Sequence, residues 1–255
     1  MNCESLCTRL DERLDVEAYA SVDASANGLQ IGPADREIEH VAFAVDAALE
    51  TIEEAVTVGA DLLVTHHGIS WGGIDRVTGR EYDQIATAIE ADLSLYSVHL
   101  PLDGHQELGN AAGIAELLSL ADRSPFGTYD GEYIGTAGIL PSPLTQAELI
   151  EELEPQLDTG GEDIRLLEFG PSEISDVAIV TGSGVDWLEE AVEWGADVLV
   201  TGEGKQHVYH EAREHAITVV LGGHYATETF GVRSLRNVVA DWGLETSFVD
   251  CPTGL

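Results

Sequence analysis

VAFAVDAALETIEEAVTVGADLLVTHHG, residues 41–68, and VAIVTGSGVDWLEEAVEWGADVLVTGEG, residues 177–204, align without a gap at an offset of 136 and share 13 of 28 residues. Each reads as an apolar strand, a helix carrying Glu-Glu-Ala-Val, then Gly-Ala-Asp and a second apolar strand ending in Thr. A strand, helix and strand of this length build a parallel pair joined by a right-handed crossover. Gly59 and Gly195 stand where each helix must stop. The likeness extends further along the chain. LSLYSV (93–98) leads into His99 and then Asp103, and AITVVL (216–221) leads through two glycines into His224 and then Glu228. Each copy is therefore followed by an imidazole and, four residues on, a carboxylate. An ordered series of this kind points to internal duplication.

The expected fold is α/β, with two similar lobes from an internal duplication. The lobes are expected at 1–124 and 125–255, with RSPFGTYDG (123–131) as the turn or junction because it concentrates Pro, Gly and Asp. Helices are expected near 4–17, 47–57, 81–91, 106–118, 144–156, 185–194, 205–213 and 227–241. Strands are expected near 40–45, 61–65, 93–98, 133–139, 164–169, 176–181, 197–201, 216–220 and 244–249. Asn27-Gly28-Leu29-Gln30 reads as a turn.

Composition removes several classes of function. The chain has 255 residues, 44% of them hydrophobic, which is enough for an ordinary core. No apolar run reaches the roughly 18 residues of a membrane span. The N-terminus lacks the basic and apolar regions of a secretory signal, so the cytoplasm is the expected compartment. Three cysteines do not make a disulfide framework. Asp and Glu number 47 against 11 basic residues, of which Lys205 is the only lysine, and the net charge is −36. Such a chain repels nucleic acid and anionic membranes. The acidic residues are spread along the whole chain, a pattern similar to proteins of salt-loving archaea, where concentrated salt screens the repulsion.

Chemistry-bearing residues collect at strand ends, where sites form in open α/β sheets. His66 and His67 close the strand DLLVT and precede Gly68. His99 ends the next strand, either as a ligand or as a core histidine, and Asp103 lies in the loop behind it. His224 sits at a helix start with Glu228 one turn on, placed to share an ion with it. Imidazole and carboxylate together suit divalent zinc, iron, manganese, cobalt or nickel. Glu203 stands opposite His67 in the repeat and is a candidate base, with His207 four residues later. Asp46 is placed to orient a metal ligand, and Trp71 to wall a pocket or pack in the core. TGSG (181–184) is too short for a phosphate-binding loop and lacks its lysine.

With these pieces in order, the chain resembles the NIF3-like family, the type 2 homologs of GTP cyclohydrolase 1. The matching stretches are NGLQ (27–30), VDAALETIEEAVTVGADLLVTHHG (45–68), HLPLD (99–103), TGEGKQH (201–207) and GGHYATE (222–228). Leu100-Pro101-Leu102 departs from the family's usual step between histidine and aspartate but leaves His99 and Asp103 in place. The resemblance implies two divalent cations per subunit. His66 and Asp103 would bind the first, His67 and His224 the second, and Glu228 would bridge both. His99 would be a further site histidine with a less direct role. It also implies a NIF3-like fold with the metal site in the cleft between the two lobes, a homohexamer without the inserted domain of longer relatives, and metal-dependent hydrolysis of a nucleotide or phosphorylated small molecule. The alternative is a metal-binding regulatory or interaction protein without catalysis.

Overall fold

The structure, a computed structural model, describes residues 1–255 and divides into two units, 1–102 with 232–251 and 103–231 with 252–255. In the first, α1 (Cys3–Leu14) precedes strand β1 (Gly28–Ile31), which is followed by β2 (His40–Asp46), α2 (Leu49–Thr57) and β3 (Leu62–His67). Helix α3 (Arg80–Glu90) then leads to β4 (Ser94–Ser97) and the start of α4 (Leu100–Gly104). The second unit holds α5 (Asn110–Leu117), β5 (Ala121–Tyr129), β6 (Glu132–Thr145), α6 (Gln146–Leu153), β7 (Arg165–Leu167) and β8 (Glu173–Ile179). It continues with α7 (Leu188–Trp194), β9 (Val198–Thr201), α8 (Val208–His215), β10 (Thr218–Leu221) and α9 (His224–Thr227). Helix α10 (Thr229–Asp241) passes from the second unit to the first, where β11 (Glu245–Phe248) ends the fold.

Each unit has one sheet. The first is ordered β1-β4-β3-β2-β11, with the last four parallel and β1 antiparallel on the edge. The second is ordered β5-β6-β8-β9-β10-β7, with β8, β9 and β10 parallel and the remaining three antiparallel. The central strands are mostly apolar, and all four residues of β9 and of β10 are buried. That pattern belongs to strands covered on both faces. In the first unit Ala42, Ala44, Leu63 and Leu95 pack with Ile52 and Ala55 of α2 and Ala88 of α3. In the second, Val177, Ile179, Val198 and Val220 pack with Ile114 of α5 and Leu149 and Leu153 of α6. Each fully buried Val, Leu or Ile side chain contributes about 1.5–3 kcal/mol, so burial stabilises both units while all three cysteines stay free.

Three expectations differ from the structure. The division does not fall at 124–125, which lies inside β5; β11 pairs in register with β2, Phe248 opposite Phe43, and so belongs to the first sheet. The stretch 123–131 is mostly strand. Its Pro125 is tolerated because β5 is an edge strand. The turn proper is Asp130-Gly131, whose φ angles of 46° and 99° give the two left-handed residues that a tight hairpin requires. Likewise Gly28–Ile31 is strand β1, and only Asn27 remains outside it.

Candidate metal centre

In the first unit β3 ends on His66, fully buried, and His67. β4 ends two residues before His99. Parallel pairing of β3 with β4 brings Thr65 opposite Ser97, and this register places the three imidazoles together. Their ring centroids are 4.6 Å apart for His66 and His67, 5.1 Å for His66 and His99, and 5.7 Å for His67 and His99. One ring nitrogen from each lies within 4.8 Å of one from each of the others.

All three rings are tied back through Nδ1. His66 Nδ1 lies 3.1 Å from the Val98 carbonyl, which can only accept, so that nitrogen carries the proton. His67 Nδ1 lies 2.8 Å from Asp46 Oδ1, in the orienting role expected of Asp46. His99 Nδ1 lies 2.9 Å from Asp23 Oδ1. An acceptor at Nδ1 leaves the lone pair on Nε2, the arrangement in which a histidine ligates a cation. Asp23 also accepts from the Leu100 and Ser25 N–H groups and the Asn27 amide, while Asn27 Oδ1 accepts from the His99 N–H. Burial would raise the Asp23 pKa, but the bond and charge of His99, with Asn27 and Ser25, outweigh it and hold the carboxyl below its usual range. Trp71 is half exposed beside these rings, edge-on to His99 at 4.9 Å and 5.8 Å from His67.

The second unit gathers the remaining residues. Asp103, on α4 and buried, accepts at Oδ1 from the Asn110 amide at 2.8 Å and from the Thr181 hydroxyl at 3.2 Å. Asn110 in turn accepts the Gly231 N–H at 2.7 Å. His224 opens α9 beside two carboxylates, with Nδ1 3.1 Å from Glu203 Oε1 and Nε2 3.2 Å from Glu228 Oε1. The Ser183 hydroxyl donates to the same oxygen of Glu203. Burial would lower the His224 pKa, but hydrogen bonds and charges from Glu228 and then Glu203 overcome it and raise it to about 9. Glu203 is held below the usual carboxylate range, first by the Ser183 hydroxyl, with His224 also lowering it against the cost of burial. The group thus favours positive charge beside Glu228. His207 does not join it and turns to Asp186 and Glu211, at 3.8 and 3.7 Å.

The donor chemistry fits a divalent metal on both counts. One unit presents three oriented imidazoles, and the other presents buried carboxylates with an imidazole. Sequence reading missed Asp23, Asn110 and Thr181. Asn110 had the only available signal, a short polar side chain seven residues from Asp103.

The family model described as Duf34/NIF3 (NGG1p interacting factor 3) matches residues 1–253. The chain is 56% identical over 255 residues to a GTP cyclohydrolase 1 type 2 homolog of Halobacterium salinarum, covering 100% of both chains. It is 42% identical over 254 residues to a Deinococcus radiodurans protein of the same name, covering 99% of this chain and 94% of that one. Among solved structures, a Thermus thermophilus protein matches with a TM-score of 0.90 and 33% identity, covering 100% of both chains. Reduced HcgD from Methanocaldococcus jannaschii matches with a TM-score of 0.85 and 26% identity, covering 98% of each.

Proposed function

Because this chain belongs to the Duf34/NIF3 family across residues 1–253, we propose that it binds two divalent cations and uses them to hydrolyse a nucleotide or phosphorylated small molecule. The observation that carries the metal reading is the set of His66, His67 and His99, each with Nδ1 engaged by a carboxylate or carbonyl and with ring nitrogens within 4.8 Å of one another. In this reading His66 and Asp103 would hold one cation and His67 and His224 the other, with Glu228 available to either. His99 completes the first unit's set. Bound divalent cations lower the pKa of a ligated water and polarise a substrate oxygen. The chain's own residues fix the imidazole tautomers, hold Asp103 against Asn110 and Thr181, and keep Asp23 and Glu203 deprotonated.

Metal content of the purified protein and turnover of a panel of nucleotides and phosphoesters in concentrated salt test this, with Glu228→Gln as control. Metal uptake with turnover that the variant loses is the expected result. Metal uptake without turnover anywhere in the panel sinks the hydrolase half and favours a regulatory or interaction protein, a reading also supported by the family's name, which describes an interacting factor. Assembly as a homohexamer belongs to the same proposal, and light scattering of the eluted protein measures it.

A further inference from the structure

The two copies of the repeat carry different side chains at equivalent places. At the offset of 136, Gly182 stands for Asp46, Gly202 for His66 and Glu203 for His67. In the first copy the strand ends supply an imidazole, His67, and the carboxylate that orients it, Asp46. In the second copy both glycines leave room that another residue fills. A Cβ on Gly182 would stand 2.3 Å from Glu228 Oε1 and 3.0 Å from His224 Nε2, and one on Gly202 would stand 2.7 Å from the His224 Cα. The imidazole of the second copy therefore comes from the helix start after the following strand, and the position equivalent to His67 holds a carboxylate, Glu203, that bonds it.

We infer that Glu203 is a positioning residue for His224. It accepts from Nδ1, is itself held by the Ser183 hydroxyl, and sets the ring so that Nε2 faces Glu228. Glu203 thus does for His224 what Asp46 does for His67 and Asp23 for His99. This assignment rests on the metal-binding reading above and removes Glu203 from the role of base. A base must take a proton, whereas a positioning acceptor needs only a lone pair in the right place, which a glutamine also offers.

Cobalt(II) titrated into the full chain, with a competing chelator, tests it in the unmodified protein, Glu203→Gln, Glu203→Ala and Ser183→Ala. Glu203 is 45% exposed, so its truncation leaves the core intact, and circular dichroism checks this. The alanine variant is expected to bind about 10- to 100-fold more weakly, as loss of an outer hydrogen-bond partner of a metal-binding histidine usually does. The glutamine variant should remain near the unmodified protein, and Ser183→Ala should fall between. In proton NMR of the cobalt form, one paramagnetically shifted, solvent-exchangeable histidine N–H should broaden in the alanine variant and persist with glutamine. Unchanged affinity in Glu203→Ala, or Glu203→Gln as weak as alanine, overturns the assignment. If the unmodified protein takes up no cobalt, the metal reading falls first and this assignment with it.

Discussion

Asp23 and His99, 76 residues apart in sequence, are joined by a 2.9 Å hydrogen bond from Nδ1 to Oδ1 that fixes which nitrogen of His99 faces the neighbouring imidazoles. The Asp23 side chain is 1% exposed and also receives N–H groups from Ser25, Asn27 and Leu100. Replacing Asp23 with alanine leaves several buried donors without an acceptor. A loss of about 2–4 kcal/mol in urea unfolding of the metal-free protein is expected. Cobalt affinity should also fall about 10-fold or more. An unchanged urea midpoint would contradict this account.

Asn110 does the corresponding work for Asp103. Its amide donates to the carboxylate and its carbonyl receives the Gly231 N–H, all within the second unit. Asn110→Ala should cost about 2–3 kcal/mol of stability. Asn110→Asp should cost more, because it sets a second carboxylate against Asp103. Denaturant midpoints of the two variants rank the effects.

Gly182 takes a left-handed backbone with φ at 59°, and a Cβ there meets Glu228. Gly182→Ala adds backbone strain of about 1–2 kcal/mol to a collision that must move Glu228 or His224. The expected result is a small loss of thermal stability with a larger loss of metal affinity. A variant that binds cobalt as tightly as the unmodified protein would show that the pair can shift without consequence.

Asp11 gives a pH dependence. Burial raises its pKa above 3.8, although the Tyr96 hydroxyl, donating at 2.8 Å, works in the opposite direction. The folded chain therefore holds this proton more tightly than the unfolded chain. Its contribution to stability is complete below the unfolded value and is lost as pH rises through the folded one. Asp11→Asn should remove that component. Unfolding followed at steps from about pH 3 to 7 should show a flatter profile for the variant at the acidic end, and identical profiles would refute it.

Cation binding should appear as stability. A metal present at about 100 times its Kd adds about 2.7 kcal/mol to a protein that binds it only when folded. Thermal unfolding with zinc and then with a chelator should show the rise and its removal. His66→Ala should abolish the metal-dependent part.

Much of this was legible beforehand because the repeat is long and its strands are mostly apolar. The parallel cores, the helix between each strand pair and the strand-end histidines all follow from residues 41–68 and 177–204. What escaped notice depends on pairing between distant segments. β1 reads as a turn because Asn27-Gly28 looks like one, and it becomes a strand only through β4. β5 carries Pro and Gly, and is held by its hairpin partner β6. β11 lies far from β2 in sequence, so the division of the chain into units could not be placed by a single cut. Asp23 and Asn110 have no motif of their own, and their importance comes from the carboxylate and amide atoms they bring to His99 and Asp103.

The glycines at 182 and 202 also set a limit on exchanging one copy of the repeat for the other. Placing aspartate at 182 or histidine at 202, the residues of the other copy, would bring a Cβ against Glu228 or His224. Either change therefore requires Glu228 or His224 to move as well. The two copies of the repeat share a backbone pattern but are not interchangeable at these two positions, because each glycine leaves the space that Glu228 or His224 occupies.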